Sequence, residues 1–106
     1  MPKYLLEVNY TLDGVKAILA KGGTAREAAA RAAVASAGGT LEGFYFTFGA
    51  TDVVTIADLP DNASAAALAL TISAGGGATV RTTVLLTPTE IDGATAKSVS
   101  YSPPGS

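Results

Sequence analysis

The stretch Gly39–Pro60, GTLEGFYFTFGATDVVTIADLP, decides the fold. It reads as a β-hairpin. Side chains alternate along a strand, so Phe44, Phe46 and Phe48 share one face, and Tyr45 and Thr47 share the other. Gly49-Ala50-Thr51 turns the chain, and Asp52–Ala57 returns as a strand rich in β-branched residues.

Outward from the hairpin, each flank carries a helix and then a strand. Before it, Thr24-Ala-Arg-Glu27 has capping-box spacing and opens an alanine-rich run that stops at Gly38-Gly39. Gly22-Gly23 separates that run from an earlier helical pattern, Val15, Ile18 and Leu19, capped by Thr11 or Asp13. Lys3–Tyr10 alternates as a strand, with Tyr4, Leu6, Val8 and Tyr10 on one face and Leu5, Glu7 and Asn9 on the other. After the hairpin, Asp61 or Asn62 caps a helix whose stripe is Ala65, Leu68, Ala69 and Ile72, and Gly75-Gly76-Gly77 ends it. Thr79–Pro88 is the fourth strand. Thr87-Pro88-Thr89-Glu90 is a second capping box, with proline at the first helical position, ahead of a short helix and an irregular tail.

The order is β-α-β-β-α-β, the ferredoxin-like arrangement of the α+β class. It predicts a four-stranded antiparallel sheet with the helices on one face. The strictly apolar set belongs under the helices: Tyr4, Leu6, Val8, Phe44, Phe46, Phe48, Val54, Ile56, Val84 and Leu86. The reverse is mixed: Leu5, Glu7, Asn9, Tyr45, Thr47, Val53, Thr55, Ala57, Arg81, Thr83 and Leu85. A mixed open face needs a partner. A second copy meeting it sheet to sheet gives a dimeric α/β-barrel-type association around a shared space.

Composition points the same way. One domain fits in 106 residues, divided into residues 1–88 for the fold and 89–106 for the short helix and tail. Charged residues are 15% against a usual quarter, and apolar residues are 48%, so few charges are left to cover the surface. The net charge is −2 and the seven basic residues are scattered, which gives no footprint for nucleic acid. No apolar run approaches 18 residues, which predicts no membrane span, and the N-terminus lacks a signal-peptide layout, so the expected location is cytoplasmic.

The chain has no cysteine and no histidine. Thiolate nucleophiles, Ser-His-Asp triads and the usual zinc sites are thereby excluded. No metal site and no cofactor is expected. Any catalysis would fall to Asp, Glu, Tyr, Arg, Lys or water.

Several segments in order give the chain a resemblance. Gly43-Phe-Tyr-Phe-Thr-Phe-Gly49, Thr51-Asp-Val-Val, the opening MPKYLLEVNYTLDGVK and Val80-Arg-Thr-Thr are together similar to the GYD-domain family, over roughly Met1–Pro88. The resemblance implies a ferredoxin-like, oligomeric domain of unassigned biochemical function. Of the family's glycine, tyrosine and aspartate, Gly49 and Asp52 match, and Thr51 stands at the tyrosine position. A role that needs a phenol there is not implied.

The candidate ligand-binding residues are Glu7, Asn9, Tyr45, Thr47, Asp52, Thr55, Arg81 and Thr83. Glu7 and Arg81 are expected as cross-strand neighbours, either holding an anionic group in a dimer cavity or forming a salt bridge. Tyr45 and Thr47 line the same space. Asp52 is a rim carboxylate or a turn acceptor. Gly75-Gly76-Gly77 follows a helix and leads into a strand, the reverse of a phosphate loop, and reads as a connector. The expected function is an oligomeric small-ligand-binding or assembly module, with its ligand between sheet faces and a homodimer or higher oligomer as its partner. The alternative is a cofactor-independent enzyme, isomerase or oxygenase-like, using a carboxylate, Tyr and Arg in that cavity.

Overall fold

The computed structural model describes residues 1–47 and 49–105. Phe48, expected on the core face, lies outside the described residues. Eight elements follow in order: β1 (Lys3–Tyr10), α1 (Leu12–Lys21), α2 (Gly23–Ser36), β2 (Thr40–Phe46), β3 (Val53–Asp58), α3 (Asn62–Ala74), β4 (Ala78–Leu85) and α4 (Pro88–Thr95). The strands form one antiparallel sheet in the order β2-β3-β1-β4. This follows the ferredoxin-like order, with the first crossover split into two helices and an extra helix after β4.

The helix ends follow local chemistry. Thr11 caps α1, its hydroxyl accepting from the Gly14 amide, and also donates to the Gly76 carbonyl at 2.8 Å. Asp61 caps α3 by accepting from the Ser64 amide at 2.8 Å. Thr87 and Glu90 form the expected capping box of α4, with Pro88 in its first turn. The capping box expected at Thr24 and Glu27 does not form. α2 begins two residues earlier, at Gly23 with Gly22 as its N-cap, so Thr24 is already inside the helix and Glu27 instead approaches Arg31, one turn on, at 3.9 Å.

The core lies between the sheet and helices α2 and α3. Tyr4, Leu6, Leu41, Ala57 and Leu59 from the sheet side pack with Val34 of α2 and with Ala65 and Leu68 of α3. Tyr4 is buried and its hydroxyl donates to Asn62 Oδ1 at 2.6 Å, so the ring fills the core while its polar tip is satisfied.

The pairing register corrects the faces expected for β3. Tyr4, Leu6 and Val8 stand opposite Ala57, Thr55 and Val53. Directly paired residues share a face, so Val53, Thr55 and Ala57 lie under the helices, while Val54 and Ile56 lie on the reverse. This strand is apolar on both faces, and alternation alone does not orient it. A β-bulge between Leu41 and Gly43 puts one extra residue in β2. It lets Leu41 face the core together with Phe44, although their numbers differ in parity. Val84 and Leu86, expected under the helices, are largely exposed, because β4 is an edge strand and Leu86 lies past its end.

The C-terminal arm stands off the body. Apart from Thr87, every described residue from Leu86 onward is exposed. The radius of gyration is 16.9 Å, against about 13 Å for a compact chain of this length.

Candidate functional site

The eight candidate residues divide among three places. Glu7, Asn9, Tyr45, Arg81 and Thr83 are on the open face of the sheet. Glu7 pairs in register with Arg81 of β4, and their charged groups approach to 3.8 Å. Thr83 stands opposite Leu5, and Tyr45 stands opposite Val54 and is 72% exposed. Asn9 reaches the Ala50 carbonyl at 3.4 Å. Around these polar groups lie Leu5, Val54, Ile56 and Leu85, each half-buried. At one end of the same face Lys3 bridges Glu42 at 2.7 Å and Asp58 at 2.9 Å. Those two carboxylate contacts, Glu42 first, raise the Lys3 ammonium above its ordinary value.

Thr55 departs from the expected site. It is on the core face, 5% exposed, and its hydroxyl donates to the Gly43 carbonyl at 2.6 Å. The bulge at Glu42 disrupts the β2–β3 ladder at that point, and the Thr55 hydroxyl supplies a partner for a carbonyl beside it.

Thr47 and Asp52 come together at the loop end of the sheet. The Thr47 amide donates to the Asp52 carbonyl at 2.9 Å, and the Thr47 hydroxyl donates to the Thr51 carbonyl. The Asp52 amide donates to the Val8 carbonyl, and its carboxylate accepts from the Tyr10 amide at 2.8 Å. Asp52 therefore closes the end of the β1–β3 ladder rather than only its own turn. With Tyr10, Val15, Ile18, Gly23 and Phe46, these two residues line a cleft of about 480 Å³ on the helix side.

A second cleft, of about 340 Å³, opens between α1, α2 and α3. Tyr10, Asp13, Ala17, Arg26, Thr71 and Ile72 are among its walls. The Arg26 guanidinium lies over the Tyr10 ring, 6.0 Å from its centroid. Among the described residues Arg26 has no salt bridge, and its Nε is buried without a hydrogen-bond partner. Sequence reading missed Arg26 and Tyr10. A signal was there: Arg26, Ala30, Ala33 and Ala37 recur at helical spacing, so a cation continues the stripe that packs on the core.

Among the described residues no group of three or more Asp or Glu is placed to hold a metal ion. No helix among them is long and apolar enough to cross a membrane.

The order of elements, the one-sided helix layer and the Gly49–Asp52 hairpin end define a small α+β domain of ferredoxin-like order. The family model for the GYD domain matches residues 4–95, and the chain belongs to that family. The match runs from β1 through α4. No curated protein and no solved structure matches the chain.

Proposed function

We propose that this GYD domain works as a homo-oligomeric module in which the open face of the sheet is covered by a second copy and a small organic ligand is held between the faces. One observation carries the reading. The open face holds Leu5, Val54, Ile56 and Leu85 around the Glu7–Arg81 pair, while the helices of the core cluster all lie on the other side. A face that is partly apolar and partly charged suits a copy of itself. It supplies apolar area, and Glu7 and Arg81 related by a two-fold axis can exchange partners.

The projecting arm supports the same occupant. Leu86, Ile91, Val99 and Tyr101 are exposed on it, and a second copy offers them an apolar surface that their own body does not. Glu7, Asn9, Tyr45, Arg81 and Thr83 then line the space between the sheets. The helix-side position of Thr47 and Asp52 sets them outside it, and Thr55 is beneath it.

Native mass spectrometry tests the reading, because it weighs the assembly and any retained small molecule together. A dimer or larger assembly is expected, and Ile56→Arg on the open face is expected to shift it to monomer. A monomer at all concentrations, or an Ile56→Arg assembly unchanged in mass, would sink the proposal.

A further inference from the structure

We propose that the cleft between α1, α2 and α3 is a binding site for a small organic monocarboxylate, with Arg26 as its anchor. It is on the opposite side of the sheet from the face discussed above and does not depend on it.

A guanidinium presents five N–H donors in a planar fork and keeps its charge at any physiological pH. Burying part of it without an acceptor is costly unless something supplies one. Arg26 Nε is buried and unpartnered, and no carboxylate of the described residues pairs with the group. The charge is at the wall of a cleft of about 340 Å³, and among the described residues no carboxylate forms a salt bridge with it, although Asp13 lines the same cleft. That volume is at the small end of ligand pockets.

The walls select among anions. Ala17, Ile72, Ala78 and the Tyr10 ring are apolar, which suits a ligand with a hydrocarbon or aromatic body. Asp13 is at the same cleft and repels a second negative charge. Beside Arg26, the side-chain donors at the walls are the hydroxyls of Tyr10 and Thr71, too few for a phosphate dianion that needs many. A single carboxylate matches the fork in two parallel hydrogen bonds, and its apolar remainder rests on the helix walls. The Tyr10 ring beneath the Arg26 guanidinium, 6.0 Å away at its centroid, favours the cation's position at the cleft.

The cleft exists because small side chains there, Ala17, Gly75 and Ala78 among them, leave the space between the elements unfilled. Gly14 and Gly77 bring α1 against the α3–β4 connector, where a Cβ on Gly14 would come within 2.0 Å of the Gly77 carbonyl oxygen. The Thr11 amide also donates to that oxygen at 3.0 Å. This contact fixes the floor of the cleft without filling it.

The test is a two-dimensional amide NMR titration of the full chain with benzoate, hexanoate and inorganic phosphate. Benzoate or hexanoate is expected to shift Gly14, Ala17, Thr71 and Gly77 saturably, with phosphate at least tenfold weaker. Arg26→Gln is expected to weaken carboxylate binding about tenfold or more, the loss of a hydrogen bond to a charged group. Arg26→Lys is expected to recover part of it. Ile72→Trp, which fills the cleft and leaves Arg26 in place, is expected to abolish it, with a dispersed spectrum showing that each variant is folded. Equal binding to Arg26→Gln, phosphate binding as tight as benzoate, shifts confined to other residues, or no saturable shift overturns the proposal. Oligomer mass, read separately, leaves this outcome untouched, so the two proposals fail independently.

Discussion

The two ends of the helix layer are built from the same helices over the same sheet, yet one end is filled and the other is split by clefts. At the filled end, Tyr4, Leu41, Leu59, Val34 and Leu68 interlock between the start of β1, the end of α2 and the start of α3. At the split end, α2 offers Gly23 and Arg26, α3 offers Thr71 and Ile72 ahead of its C-cap Gly75, and α1 lies across them with Leu12 and Leu19 exposed. At the filled end the side chains meet across the gap between helix and sheet, whereas at the split end Gly14, Ala17, Gly23 and Gly75 leave it open between the walls of Tyr10, Phe46 and Ile72. Stability is thus concentrated at one end, and room for a ligand at the other.

The largest effect that would sharpen this contrast is a truncation at the filled end. Leu59 is buried completely. Leu59→Ala is expected to destabilise the protein by ~2–5 kcal/mol in denaturant titration, through lost transfer energy and a residual cavity. A loss well under 1 kcal/mol would mean that the filled end is not where stability resides.

A smaller effect is expected where backbone meets backbone, and it should appear at both ends. A Cβ on Gly39 would come within 2.1 Å of the Asp58 carbonyl oxygen, as one on Gly14 would at Gly77. Gly39→Ala and Gly14→Ala are each expected to cost about 1–3 kcal/mol, since main chain must shift to admit the methyl group. If Gly14→Ala cost nothing while Gly39→Ala cost its full share, the split end would be loose rather than merely hollow.

The filled end was largely legible in the sequence, and the split end was not. Tyr4 and Leu6 at period two, and Leu68 four residues before Ile72, announce a core because their period and chemistry agree. The Glu7–Arg81 pairing also followed from topology, since β1 lies between β3 and β4. β3 resisted because Val53, Val54, Ile56 and Ala57 are apolar on both faces, and only the register against β1 orients them. The same ambiguity hides the face of Thr55, which only its pairing with Leu6 reveals. Leu41 was hidden by a bulge, which breaks the two-residue period. Arg26 is hard to place from sequence because a charge in an alanine-rich helix suggests a solvated face, although its spacing to Ala30 and Ala33 puts it on the inner one.

Replacing Arg26 should reverse the usual sign of a partly buried substitution. Arg26→Met keeps the length and apolar stem of the side chain but removes the unpartnered Nε. Stability is expected to stay level or rise by up to ~1 kcal/mol, because an unsatisfied buried donor is removed. A loss of 2 kcal/mol or more would show that Arg26 holds the fold together. Set beside Leu59→Ala, the pair of measurements separates a residue that stabilises the structure from one that costs it stability.

The smallest effect belongs to the cap at the filled end. Asp61 accepts from the Ser64 amide, and hydrogen bonding there, from the backbone first, holds its carboxyl below its ordinary value of 3.8. A lowered folded-state value means that the charged form is preferred in the native state. Its contribution is therefore fully present above about pH 4 and is lost as pH falls through the native value. Thermal melts of the protein and of Asp61→Ala should differ most near neutrality and converge as pH falls through the native value and the native carboxyl is protonated too. Asp61→Asn, a cap that does not titrate, should keep most of the midpoint at neutral pH and lose none of its own contribution in acid. A gap between protein and Asp61→Ala that stayed constant down to low pH would place the effect in packing rather than in the charged cap. Lys3, raised by Glu42 and Asp58, has the opposite sign, with its contribution present below 10.5 and lost as pH rises through the native value. Both groups are at the filled end, so titration from either side probes the end where packing already fixes the chain and leaves the cleft around Arg26 as the part to be read by ligand instead.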